Sequence, residues 1–197
     1  MASTSSVTRR TLADTEPLKA LAHPLRMDLY EVLVVDGPLT ATELAERLGQ
    51  SPSNCSWHLR KLAEHGFVSE VPDVPGRSRP WQAIRQALSW DEAAAEPALR
   101  AAGLALSETL LQRETRLLMA AHEAAHLEPQ EWQGAGTVVQ SATWLTAQET
   151  REISARLEEL LTPYLERLHD PAARPEGSRL MSLVGWVAPR QAPGSER

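Results

Sequence analysis

Residues 51–68 constrain this chain more than any other stretch: Ser-Pro-Ser-Asn-Cys-Ser-Trp-His-Leu-Arg-Lys-Leu-Ala-Glu-His-Gly-Phe-Val. Ser51 suits a helix N-cap and Pro52 the first helical position. Cys55, Leu59 and Leu62 recur at helical spacing and form an apolar edge. Ser53, Asn54, Trp57, Arg60 and Lys61 fall on the opposite edge, and His58 stands beside the apolar one. Gly66 is placed to close the helix, and Phe67–Val71 reads as a strand that follows at once. Upstream, Thr40-Ala41-Thr42-Glu43 is a capping box. It opens a second short helix with Leu44, Ala45 and Leu48 as its buried face, ended by Gly49. Two short helices joined by a tight turn, with a strand behind them, leave few folds open.

Earlier residues extend this pattern. Pro17–Ala22 reads as a helical turn or short helix. Pro24 then starts another helix, in which Leu25, Leu29, Val32 and Leu33 share one face, and Asp36-Gly37-Pro38 ends it. After the strand, Val74-Pro75-Gly76-Arg77 fits a type II turn. Pro80–Arg85 returns as a second strand, with Pro80 confined to its start or an edge. The hairpin tip carries Arg77 and Arg79 and has the form of a wing.

The distribution of charge gives this region a chemistry. The whole chain of 197 residues has a net charge of −6, which excludes a uniformly basic nucleic-acid binder. Residues 47–85 nevertheless hold six basic side chains, Arg47, Arg60, Lys61, Arg77, Arg79 and Arg85, against three acidic ones. A basic island on an acidic body is the electrostatic footprint of a small DNA-contacting surface. On the outward helix edge, Asn54 can pair in bidentate fashion with adenine and Ser53 can bond several bases. Trp57 can pack on a thymine methyl or sugar, or equally against a neighbouring helix or partner protein. Ser51, Ser56 and Lys61 suit phosphates, helped by the partial charge of the helix N-terminus. Arg60 shares the same edge. His58 is either a phosphate contact or a packing residue. Arg77 and Arg79 on the wing suit phosphates or a narrow minor groove.

The segment 18–85 resembles the ArsR-type winged helix-turn-helix regulators. The resemblance rests on Leu21-Ala22-His23-Pro24-Leu25-Arg26, Thr42-Glu43-Leu44-Ala45, the run from Ser51 to Leu62, and Gly66-Phe67-Val68. It implies a winged helix-turn-helix fold and a homodimer that binds operator DNA, with repression as the usual outcome. Many relatives sense metals through a Cys-x-Cys pair on the helix before the recognition helix, but Glu43–Gly49 holds no cysteine. Cys55, the single cysteine of the chain, reads as a small core residue and fits a reducing cytoplasm.

His122-Glu123-Ala124-Ala125-His126 fits the H-E-x-x-H pattern of zinc peptidases, which sets two imidazoles on one helix face. No third ligand follows at a known spacing, His169 and Glu149 being distant candidates. The favoured reading is a solvated helix edge, with His122 and His126 as the candidate metal ligands of the other. No catalytic residues and no cofactor are expected. A zinc hydrolase built on His122, Glu123 and His126, and a protein-binding winged-helix module, stand as the rival functions.

Beyond residue 88, Ser89-Trp90-Asp91-Glu92 reads as a capping box, and helix signal runs to about Leu127 with a restart at Pro97. Within it Leu104, Leu111, Leu118 and Ala125, and beside them Leu110, Leu117 and Ala124, recur every seven residues, a broad face that must pack on other helices. Trp132–Gly136 reads as a loop and Thr137–Leu145 as a strand. A third capping box, Thr146-Ala147-Gln148-Glu149, opens a helix along Ile153, Leu157, Leu160, Leu161, Tyr164, Leu165 and Leu168, kinked at Pro163. Asp170–Ser178 reads as a loop and Leu180–Val187 as a last strand. Trp132, Trp144 and Trp186 are expected in a hydrophobic core, an aromatic ligand pocket being the alternative.

The expected protein is therefore mainly α with small β. Residues 1–14 form a disordered tail, with no signal peptide in it. Residues 15–88 form a winged helix-turn-helix domain. Residues 89–188 form a long-helix and strand–helix–strand domain for dimerisation or effector sensing, and 189–197 a loose tail. The expected partners are double-stranded DNA with an imperfect palindrome, a second copy of the chain and a small-molecule effector. No apolar run reaches the ~18 residues of a membrane helix, and the expected location is the cytoplasm.

Overall fold

The computed structural model describes residues 8–72, 79–84 and 86–190. It is mostly helical. Strand β1 (Thr8–Thr11) leads into α1 (Thr15–Leu21), α2 (Pro24–Asp36), α3 (Ala41–Leu48) and α4 (Pro52–Glu64). Then come β2 (Val68–Glu70), β3 (Trp81–Ala83), β4 (Gln86–Ser89) and α5 (Pro97–Ala124). After a 3-10 turn at Ala125–Leu127 follow α6 (Ala147–Leu161), a 3-10 turn at Thr162–Tyr164, and α7 (Glu166–His169). The chain forms two compact units that divide between Thr115 and Arg116.

In the first unit, α1 to α4 enclose one apolar core. Leu18, Leu29, Leu44, Cys55, Leu59, Leu62, Phe67 and Leu106 are all fully buried in it. Completely burying a leucine contributes about 1.5–3 kcal/mol, so the leucines of α1 to α4 alone outweigh any surface pair in holding this bundle. The expected capping box forms at α3: the Thr40 side chain accepts from the Glu43 backbone N–H, and Glu43 accepts from the Thr40 backbone N–H at 2.7 Å. Those bonds to the Glu43 carboxylate hold its pKa below the ordinary value. Strands β2 and β3 pair antiparallel, with Val68 opposite Ala83 and Glu70 opposite Trp81. Leu39 adds a bridge to Trp81. The expected turn at Val74–Arg77 lies outside the described residues, as do Arg77 and Arg85.

Three expectations for this unit are corrected. Residues 8–14 are no tail: β1 pairs in parallel with β4, and Leu12 lies in the core at 2% exposure. Ser89 does not cap a helix, because it closes that same pairing opposite Thr11. The helix begins at Pro97, where the Glu96 carboxylate accepts from the backbone N–H groups of Ala98 and Leu99. The division of the chain falls inside α5 and not near residue 88, because the first half of α5 packs on the bundle through Ala102 and Leu106. Arg113 fastens it further with ion pairs to Asp28 at 3.0 Å and to Glu31 on α2. Gly103 allows the closest approach, since a Cβ there would sit 3.4 Å from the Asp91 carbonyl oxygen.

The second unit is built differently. Its α6 carries the expected capping box between Thr146 and Glu149, and the helix gives way to a 3-10 turn at Pro163. Arg179 pairs with Glu128 and lies 4.8 Å over the Trp132 ring. Neither Thr137–Leu145 nor Leu180–Val187 is a strand, so the strand–helix–strand arrangement is absent among the described residues. A strand needs a neighbour to complete its ladder, and neither segment is paired in a sheet. No side chain described in 116–190 is buried. The tryptophans do not form a core: Trp144 is 97% exposed and Trp186 is exposed as well. Among the described residues no helix is long and apolar enough to cross a membrane.

Leu62→Ala is expected to cost about 2–5 kcal/mol by cavity formation, and Ser51→Ala about 1 kcal/mol by loss of the α4 cap. Urea unfolding followed by circular dichroism measures both.

Candidate nucleic-acid interface

Helix α4 is positioned from three sides. Gly49 ends α3 in the left-handed region, at φ 62°, and lets the chain reverse within three residues. Ser51 then accepts from the Asn54 backbone N–H at 3.2 Å, with Pro52 opening the helix as the sequence predicts. Cys55, Leu59 and Leu62 point inward and are sealed from solvent. Burial raises the Cys55 thiol pKa, so it is a protonated packing group and not a thiolate ligand.

With that face fixed, the other is presented outward. Ser51, Ser53 and Arg60 are exposed, and Asn54, Ser56 and Lys61 are half-buried on the same side. Trp57 is 52% exposed. The Asn54 amide donates to Gln50 Oε1 at 3.1 Å, which orients the group and still leaves its oxygen and second N–H to meet a base edge. Ser51 and Ser53 hydroxyls lie 3.1 Å apart. Lys61 bonds Glu64 at 2.8 Å, and on the wing side Arg79 pairs with Glu70 at 3.4 Å. Such exposed pairs are worth about 0–1 kcal/mol, so a phosphate can take either cation at little cost.

His58 departs from the expected contact set. It is only 6% exposed, with its ring 4.6 Å from that of His23 and edge-on to Trp57 at 4.7 Å. A side chain enclosed in this way does not reach a phosphate; it belongs to the packing behind the presented edge.

His122 to His126 are exposed, as the favoured reading of a solvated edge has it, and the alternative of two imidazoles on one helical face is not formed. α5 ends at Ala124, His126 lies in the 3-10 turn, and its Nδ1 is committed to the Glu123 carbonyl oxygen at 2.9 Å. Among the described residues no three His, Cys, Asp or Glu side chains are grouped to hold a metal ion.

Two positioning residues escaped the sequence reading. Arg10 on β1 donates to the Gly66 carbonyl at 3.2 Å and stacks 5.0 Å over Phe67. Gln86 on β4 donates to the same carbonyl at 3.1 Å. These two bonds anchor the turn that leaves α4. The only trace in the sequence is a short run of β-formers and arginines before Leu12.

Residues 21–71 match a family of helix-turn-helix domains. A search of curated proteins finds no match. Among solved structures, a transcriptional regulator of Thermotoga maritima is 17% identical, with 77% of this chain and 85% of that one covered at a TM-score of 0.30. A MarR family protein of Mycobacterium tuberculosis, solved with salicylic acid, is 22% identical, with 74% and 84% covered at a TM-score of 0.29. At such TM-scores neither likeness bears on this chain's assembly or ligands. The domain match coincides with α2, α3, α4 and β2, and the chain carries a helix-turn-helix domain, followed by the antiparallel pair β2–β3.

Proposed function

We propose that this chain is a sequence-specific DNA-binding transcriptional regulator of the ArsR type, without enzymatic activity, acting in the cytoplasm as a homodimeric repressor. The observation that carries the reading is the two-sidedness of α4. Its apolar face is sealed in the core while Ser53, Asn54, Trp57, Arg60 and Lys61 stand on the solvent side. Asn54 reads a base edge, and Ser51, Ser56 and Lys61 engage phosphates, with Arg79 reaching the backbone from the wing side.

The dimer reading is supported by α5. Leu104, Leu111 and Leu118, seven residues apart, are each roughly half exposed in the single chain. A second copy covering this row would make the dimer, whose two recognition helices are expected on successive major grooves about 34 Å apart. The zinc-hydrolase reading loses its support where α5 ends between the two histidines.

Gel-shift titration on the protein's own promoter fragment, repeated across salt, tests the DNA reading. A protected imperfect palindrome is the expected footprint; equal affinity for promoter and random duplex overturns the proposal in favour of a protein-binding module. Asn54→Ala is expected to lose about 1–3 kcal/mol on the specific site and little on random DNA. Lys61→Ala should weaken every sequence alike and reduce the salt slope by about one unit. Leu111→Glu is expected to halve the mass measured by light scattering, since it sets two like charges within the leucine row.

A further inference from the structure

Behind the presented edge of α4 lies a group of nitrogen atoms that the DNA-reading role does not use. His23 is the N-cap residue of α2, and its ring lies 4.6 Å from the buried ring of His58, tilted by 44°. Nδ1 of His23, Nδ1 of His58 and Nε of Arg26 are all buried without a hydrogen-bond partner. Arg26 is held there by its Nη2, which donates to the Lys19 carbonyl at 2.9 Å. On its outer side His58 meets the edge-on ring of Trp57 at 4.7 Å.

A neutral imidazole tolerates this enclosure, because its Nδ1 can remain a bare acceptor. An imidazolium carries N–H groups on both nitrogens, and at His58 the Nδ1 proton would face no acceptor, beside a second ring and a guanidinium. We propose that the His23–His58 pair is a proton-sensitive latch on the recognition helix, which holds α4 against α2 while both rings are neutral and loosens it when they are protonated. The consequence for DNA rests on the reading role proposed above for α4.

The charges around the pair agree. Burial first, then His23 and Arg26, hold the His58 pKa below the ordinary 6.5. Burial first, then Arg26, hold His23 below 6.5 against the opposing effect of its own backbone hydrogen bond. The acidic groups of the neighbouring elements are engaged elsewhere. Glu16 pairs with Lys19 on α1, Asp28 and Glu31 on α2 pair with Arg113, Glu43 closes the α3 cap, Asp36 pairs with Arg47, Glu64 pairs with Lys61 and Glu70 pairs with Arg79; Glu46 is exposed. The sign follows. With the docked values depressed, the docked state is at full strength above 6.5 and loses stability as pH falls through 6.5 towards the lowered values. An ordinary DNA-binding surface behaves oppositely, since acid adds positive charge and tightens its hold on phosphate.

The test uses the full-length protein. Promoter-fragment affinity is expected to weaken by about tenfold or more between about pH 7.5 and about pH 5.5. His58→Leu should abolish that loss, and so should His23→Asn, which keeps an N-cap residue and covers the case in which the first variant does not fold. Without DNA, the fluorescence difference between wild type and Trp57→Phe is expected to fall with a midpoint below 6.5, as the His58 imidazolium quenches the indole beside it, and the wild-type Tm should fall over the same range. Unchanged or tighter DNA binding in acid overturns the latch, as does an acid loss that persists in both histidine variants. If no DNA is bound at any pH, the DNA-reading role fails and the fluorescence and Tm profiles alone decide the latch: a fall below 6.5 supports it, and flat profiles overturn it.

Discussion

Burial of one edge of α4 is the constraint from which the rest of this molecule follows. Cys55, Leu59 and Leu62 have no exposed surface, and their contacts with α1, α2 and α3 permit one rotation of the helix about its axis. That rotation decides which residues meet solvent. Asn54 and Trp57 are on the solvent-facing edge because three apolar neighbours cannot be, and His58 is behind it for the same reason. A turn of the helix by a single residue would expose leucine and bury arginine, an exchange of several kcal/mol in the wrong direction.

The supports of α4 form a closed set. At its start, the left-handed Gly49 and the Ser51 cap fix the entry angle. At its end, Gly66 turns the chain at φ 70° and hands its carbonyl to Arg10 and Gln86. Behind it stand His23, at the N-cap of α2, and Leu29 within α2, and the first half of α5 packs on the bundle through Leu106. Polar groups at both ends and apolar groups along the length give the helix a defined position as well as a stable one.

The helices of the first unit were legible because their signals are local. Thr40 with Glu43 and Ser51 with Pro52 each announce a helix start within four residues, and the apolar spacing inside α4 announces its face. The solvent-facing edge of α4 was legible for the same reason, except at His58, which stands at the margin of the apolar stripe where periodicity alone cannot assign a side. What failed was non-local. The pairing of β1 with β4 joins residues nearly eighty positions apart, and nothing in Thr8–Thr11 signals its distant partner. Ser89 imitates a cap because the residues that claim it, at the start of the chain, are invisible to a local pattern. In the second unit, Thr137–Leu145 and Leu180–Val187 have strand composition without a partner strand among the described residues. Composition states a preference, and only pairing makes a sheet.

The parallel ladder between β1 and β4 has a practical corollary for anyone shortening the polypeptide. A version that starts at residue 15 would retain every helix, yet it would strip Gln86–Ser89 of its neighbour, delete Leu12 from the hydrophobic interior and leave the Gly66 oxygen with one donor in place of two. The stretch Thr8–Leu12 is thus a clasp on the first unit, and a fragment that keeps it has to begin no later than Thr8.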